Sequence, residues 1–469
     1  MFYQTDGVRL ALGRTSEMPF QLPNAIAAAN NKARDGFDLP RFGSETADPL
    51  KARHAKIPDV RNDENLAVGQ THLLFMRFHN RVVDHLSKTT PSVELFDRAR
   101  ETVVKHYQWM VWHDHLPQIV DPAILDDVMA NGRKVFEPNA AGFPTMPIEF
   151  SVAAYRLGHS MIRPEYDWNA MFGPTTPAAP ARLDRGTLDN LFRFSGTSGN
   201  LSPFASAPPP QASDLDNPIA GRSETLPNIW VADWTRLFDF AADGHATPAL
   251  ADNATLNHAM VIDIHLTNPL ANLPLGSFDN NRKKVSDPMH LNLAFRNLAR
   301  GKMVKLASGQ DVEADFGVDP LLPAQILGNH FVNLPAVLSG LVANGALSLP
   351  EGKSDSEQDM KQWADSLTDE LASNTPLWYY CLREAELHGS TPNANGNKLG
   401  PVGGRIVAET FHRAIQGSRI SFLREVGFEP TLNRDILGVP AGNPAANQFR
   451  MTDMVKIAFD HSKGELPLF

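Results

Sequence analysis

A chain of 469 residues with 42% hydrophobic content can bury a large core, and its length alone permits two or three domains. The formal charge of -10 argues against a general nucleic-acid binder, which needs a basic patch or stripe, so small molecules are the expected partners. A single cysteine, Cys381, excludes an intrachain disulfide framework and a cysteine-based zinc site, and its setting in Leu377-Trp378-Tyr379-Tyr380-Cys381 is that of an inert core thiol.

The start Met1-Phe2-Tyr3-Gln4-Thr5-Asp6-Gly7 has neither the basic beginning nor the apolar stretch of a signal peptide, which makes the cytoplasm the default expectation. No window holds eighteen uninterrupted apolar residues, so no membrane span is expected. Residues 1–60 read as a loop-rich N-terminal segment, and 61–469 as one mainly α domain with long irregular loops and few short strands.

Between Asn65 and Leu86, the residues Leu66, Leu73, Leu74, Phe78, Val82, Val83 and Leu86 recur at steps that predict one long helix. A second helix is predicted over 93–112, with Ser92 as N-cap and Pro117 as stop. The apolar run 148–161 encloses His159 and closes at Pro164. Residues 165–225 are broken by Pro174-Thr175-Thr176-Pro177 and Pro208-Pro209-Pro210, which read as loops around a short helix over 188–194. Helical spacing returns at 229–240, 291–299, 322–327, 355–371, 375–387 and 405–415, and Ala259-Met260-Val261-Ile262 reads as a short strand.

The usual catalytic motifs are missing. Gly400-Pro401-Val402-Gly403-Gly404 fits neither phosphate-loop pattern, no H-E-x-x-H or G-x-S-x-G occurs, and His113 and His115 would face different sides of a helix. A lone histidine such as His159 on an apolar helix is ordinarily a satisfied core residue, and spacing alone leaves core and ligand both open. Asn62, Asp63 and Glu64 fit a capped helix start equally well.

Arg61-Asn62-Asp63-Glu64-Asn65, then His72, then Phe78-His79-Asn80-Arg81, resembles the R-x-x-E and H-N-R pattern of the animal-type haem peroxidases, in the form found in bacterial members of the peroxidase–cyclooxygenase superfamily. The likeness continues through Tyr107-Gln108-Trp109, Asp114-His115-Leu116-Pro117, Tyr155-Arg156-Leu157-Gly158-His159, Leu291-Asn292-Leu293-Ala294-Phe295-Arg296 and Leu399-Gly400-Pro401-Val402-Gly403-Gly404-Arg405-Ile406. It implies a single-domain helical fold, a haem b cofactor, and a peroxidase that reduces peroxide and oxidises a small donor.

By this resemblance His159 corresponds to the proximal iron ligand and Asn292 to the asparagine that accepts its Nδ1–H, although Asn292 also fits a helix N-cap. Arg296 corresponds to a partner of a haem propionate, Arg61 to the distal arginine that stabilises charge as the O–O bond breaks, and Glu64 to a carboxylate esterified to a haem methyl in mammalian members. Asn65 stands where some members carry a sulfonium-forming methionine, so that link is not expected. His79 and Asn80 are expected to be structural.

One departure stands out. The G-Q-x-x-D-H segment that carries the family's distal histidine has no counterpart here: Asp84-His85, Asp114-His115 and Asp460-His461 lack the glutamine. The general acid/base is therefore not identifiable, a calcium loop is not expected, and residues 1–60 are expected to pack poorly and leave the cleft open. The alternatives are a non-catalytic or truncated haem-binding protein and a fatty-acid dioxygenase. The latter requires a tyrosine three residues before the proximal histidine, where Arg156 stands, with Tyr155 one residue earlier.

Overall fold

The computed structural model describes residues 2–17, 31–139, 141–174, 185–196, 225–244, 256–273, 288–388 and 395–459. Among them are ten helices of eight or more residues: α1 Leu66–Leu86, α2 Ser92–Met110, α3 Pro122–Asn131, α4 Leu293–Met303, α5 Gly309–Phe316, α6 Leu334–Ala343, α7 Glu357–Ser373, α8 Leu377–Leu387, α9 Pro401–Gly417 and α10 Met451–Ala458. The chain is mainly α. The only regular strands among the described residues are Gly13–Arg14 and Asp35–Asp38, paired antiparallel.

α1 starts where Asn65 turns its side chain onto the Ala67 N–H, and its apolar stripe, including Leu74, Phe78 and Val82, is fully buried. α2 begins at Ser92 itself, with Pro91 in the cap position, so Ser92 is not the cap. Nor does Pro117 stop the chain. A π-turn over Val111–His115 leads directly into a short helix Leu116–Ile119, and Pro117 falls in that helix's first turn, where a missing N–H removes no bond.

The run around His159 is helical in three different windings: a π-turn Glu149–Ala153, a 3-10 turn Ala154–Leu157 and an α-turn Gly158–Met161. Two expectations fail. Residues 229–240 contain only the 3-10 turns Asn228–Trp230 and Trp234–Arg236, because the apolar spacing there serves a segment buried on all sides with Trp230 and Trp234 fully enclosed. Residues 259–262 form no strand. They are tied singly, Met260 N–H to the Met161 carbonyl and Ile262 N–H to the Gly396 carbonyl. The Pro-rich stretch 208–210 and the pair Asp460-His461 lie outside the described residues.

Two large apolar cores result, with three smaller clusters beside them among the described residues. One joins α1, α2 and α10 to the segments around Trp168–Phe172 and Leu226–Phe240. The other joins the end of α2, α3, α8 and α9 to Phe150–Leu157, the run that leads to His159. The expectation that residues 1–60 pack poorly is not met in their described part. Arg41 is buried between Asp38 and Asp63 at 2.8 and 2.7 Å, and Leu39, Ala55 and Ile57 pack on Leu73 and Met76 of α1. Desolvation makes an unpaired charge there costly, so the two carboxylates tie this segment to the start of α1.

Cys381 is buried and free, its thiol pushed up by burial. No helix of the described residues is long and apolar enough to cross a membrane. Beside Cys381, the buried Glu384 accepts the Val402 and Gly403 N–H groups at the start of α9, and burial pushes its carboxyl up from 4.5 to about 7. A raised folded-state value means that folding takes up a proton, so this stability is fully present below about 4.5 and lost as pH rises through about 7. A Glu384→Gln chain should therefore lose less melting temperature than the parent between those pH values; equal pH profiles would refute the assignment.

Candidate active site

His159 lies at the end of the irregular run, and its imidazole is held neutral: burial, then the adjacent Arg156 charge, push it down to about 4. Its Nδ1 meets the side chain of Asn297, with Nδ2 at 2.8 Å. Asn297 is buried in α4, and its Oδ1 accepts a hydrogen bond from the Arg156 guanidinium. One carboxamide thus links the histidine to the arginine three residues before it.

This corrects the expectation for Asn292. Asn292 is the N-cap of α4, its Oδ1 accepting the Phe295 N–H at 3.1 Å. A cap side chain folds back on its own helix start, whereas Asn297 stands on the inner face of α4 shared with Ala294, which packs in the second core. The sequence carried a usable signal, since a polar residue at helical spacing from a core-facing alanine is unusual without a partner.

The hydrogen-bond directions matter for ligation. With Oδ1 given to Arg156, the amide donates to Nδ1 and leaves the imidazole proton on Nε2. If Arg156 takes another acceptor, the amide can turn, its oxygen receives Nδ1–H, and the Nε2 lone pair is free. A carboxylate reaching Arg156 would provide that acceptor.

Arg156 is one of three neighbouring cations. It is held below its usual range by burial and by the Arg300 charge, and Arg296 likewise by burial, Arg300 and Arg156. Glu64 lies within electrostatic reach of Arg296, half-buried, and burial pushes it up to about 7 against the pull of Arg61 and Arg296. Contacts thus join His159, Asn297 and Arg156, while Arg296 and Arg300 lie within electrostatic reach of Arg156 and Glu64 within reach of Arg296. A neutral imidazole beside clustered guanidiniums suits a metal centre that bears carboxylates.

Residues 26–190 match the family model described as animal haem peroxidase. Mouse myeloperoxidase is 30% identical over 164 residues, 32% of this chain and 22% of its own length. Human eosinophil peroxidase is 29% identical over 153 residues, 30% of this chain and 20% of its own length. Chorion peroxidase of Aedes aegypti is 32% identical over 112 residues, 22% of this chain and 14% of its own length. Over residues 26–190 this chain is similar to the animal haem peroxidases. The matched stretch thus spans less than a quarter of the length of each of these relatives. Among solved structures, peroxidase A of Dictyostelium discoideum aligns with TM-score 0.40 and 17% identity over 81% of this chain and 55% of its own.

The stretch that matches the haem peroxidase model contains Arg61, Glu64 and His159, whereas Asn297 and Arg300 lie beyond it. Arg61, expected as the distal arginine, points outward. Its side chain is 77% exposed and its guanidinium is held by the Asp59 carboxylate at 2.9 and 2.6 Å. The reason is local: Asp59 is an N-cap that also accepts the Arg61 N–H, so the cap carboxylate captures the side chain two residues on.

His79 and Asn80 are structural, as expected. His79 Nε2 meets the Val8 carbonyl at 2.9 Å, and Asn80 both accepts from and donates to the Leu10 backbone. An open groove of about 480 Å³ lies along α1, lined among others by Asn62, His72, Phe75, His79 and Val103. His159 is not in its wall. His72 Nδ1 is paired with the Asn62 amide at 2.9 Å.

Proposed function

We propose that this chain binds haem b through His159 and acts as a peroxidase-like oxidoreductase on peroxide and a small reducing donor. The observation that carries the reading is the half-buried, neutral His159 joined through Asn297 to Arg156, with Arg296 and Arg300 in electrostatic reach. Haem b, when bound, supplies the iron at which peroxide is cleaved and donors are oxidised. His159 would hold the iron through Nε2. Asn297 would orient the imidazole and raise its basicity once its oxygen turns to Nδ1–H, and Arg156 with Arg300 would hold the haem carboxylates. Those two roles would be coupled, because Arg156 turned to a haem carboxylate would free the Asn297 oxygen for His159. Glu64, pushed up to about 7, is the residue through which a covalent haem link would form.

The outward Arg61 favours a second reading, a haem-binding protein with little turnover. Its pairing with Asp59 leaves O–O cleavage without the fixed positive charge expected there. Haemin titration followed by peroxide-dependent guaiacol oxidation separates the two readings. A haemin complex that turns over faster than free haemin supports the peroxidase; a complex no faster than free haemin supports the non-catalytic protein, and failure to bind haemin refutes both.

A further inference from the structure

The geometry points to Tyr155 and His115 as a proton-coupled redox pair, in which Tyr155 gives one electron to a strong oxidant while its phenolic proton passes to His115 Nε2. For its natural oxidant, haem that peroxide has oxidised at His159, the inference rests on the function proposed above. The pair itself rests on the contact of Tyr155 with His115, a residue that the His159 site does not use.

The Tyr155 hydroxyl lies 3.0 Å from His115 Nε2, with the rings edge to face at 82°. Phe150 stacks on the phenol at 4.6 Å and Phe411 meets it edge-on at 5.1 Å, so its ring is clamped and its oxygen is directed at the imidazole. His115 closes the π-turn that follows α2 and is exposed, so a proton received there can exchange with solvent. Tyr155 precedes His159 by four residues in the same helical run.

Removing an electron from a phenol makes its O–H strongly acidic, so the step is easy only when a base takes the proton at once. That base must be neutral and within hydrogen-bond distance. Although His115 reaches the surface, the protein packed around its imidazole desolvates the ring and lowers its proton affinity, and burial raises the Tyr155 phenol to about 12, so the intact O–H is the form present. The ionisable groups around the pair are Tyr107 of α2, which raises the phenol further, and Arg156 next in the chain.

The balance is simple. Neutral Tyr155 and neutral His115 become a neutral tyrosyl radical and an imidazolium, and the oxidant gains one electron. A phenolic or arylamine donor then returns an electron to Tyr155 while His115 returns the proton. A donor could thus be oxidised at this pair instead of at the cofactor edge.

Flash oxidation of the full chain with photogenerated tris(bipyridine)ruthenium(III), in H2O and D2O, tests the pair without haem. Of the six tyrosines, Tyr155 should give the fast, isotope-sensitive tyrosyl-radical phase. Tyr155→Phe should remove that phase, and His115→Phe and His115→Gln should each slow it roughly 10²-fold, with imidazole restoring the rate. Persistence of the phase in Tyr155→Phe, or an unchanged rate in both His115 variants, would overturn the pair. In the haemin-loaded chain, freeze-quench after peroxide should trap a tyrosyl radical that Tyr155→Phe lacks. If haemin does not bind, the proposed function fails while the flash experiment still decides the pair. If haemin binds and turns over but the flash phase is absent, the pair fails alone.

Discussion

A His159→Ala chain is expected to lose the Soret band that haemin gives with the parent, with affinity reduced by at least about 10²-fold, more than loss of an outer-shell partner of a metal ligand costs. Removal of the imidazole also leaves the Asn297 amide short of one partner, at a stability cost of about 1–3 kcal/mol. That cost is small enough for the variant to fold, and circular dichroism reports it separately from haemin binding. Added imidazole should restore much of the band by ligating from solution. An unaltered Soret band and affinity in the variant would remove His159 as the ligand.

Asn297 supports the second large effect, and two substitutions there should move in opposite directions. Asn297→Leu leaves His159 Nδ1 without its partner and Arg156 with only the Ser151 carbonyl, so haemin affinity should fall by roughly 10- to 100-fold, with a loss of about 1–3 kcal/mol in stability. Asn297→Asp offers two acceptor oxygens. One can keep Arg156 while the other takes Nδ1–H, so Nε2 is free without any turn of the group. The aspartate variant should bind haemin at least as tightly as the parent. Equilibrium titrations check both, and equal losses in the two variants would show that Asn297 acts only through packing. Asn292→Ala is the internal control: it should cost about 1 kcal/mol as a lost helix cap and leave haemin affinity unchanged.

Much of the fold was legible because long amphipathic helices record their buried face in the order of their residues. The spacing of Leu66, Leu74, Phe78 and Val82 predicts α1 within a residue at its start. That record is lost where burial is complete. Around Trp230 and Trp234, side chains are enclosed on every side, so apolar spacing no longer reports a helical period, and the segment forms only 3-10 turns. Short helices such as α3 and α5 went unread because eight to ten residues carry few periods.

By itself the sequence determined the mainly α class, the likeness to the animal haem peroxidases, and the candidate status of His159, since these rest on residue identities and spacings along the chain. Only the tertiary structure decided what faces what. It chose Asn297 over Asn292, because a cap position commits a side chain to its own backbone, whereas a mid-helix position can reach another element. It added Arg300 to the cations around Arg156 and turned Arg61 outward onto Asp59. It also joined Tyr155 to His115 across 40 residues of sequence. Contacts of this kind depend on where separate helices come to rest, and no local pattern of residues encodes that distance.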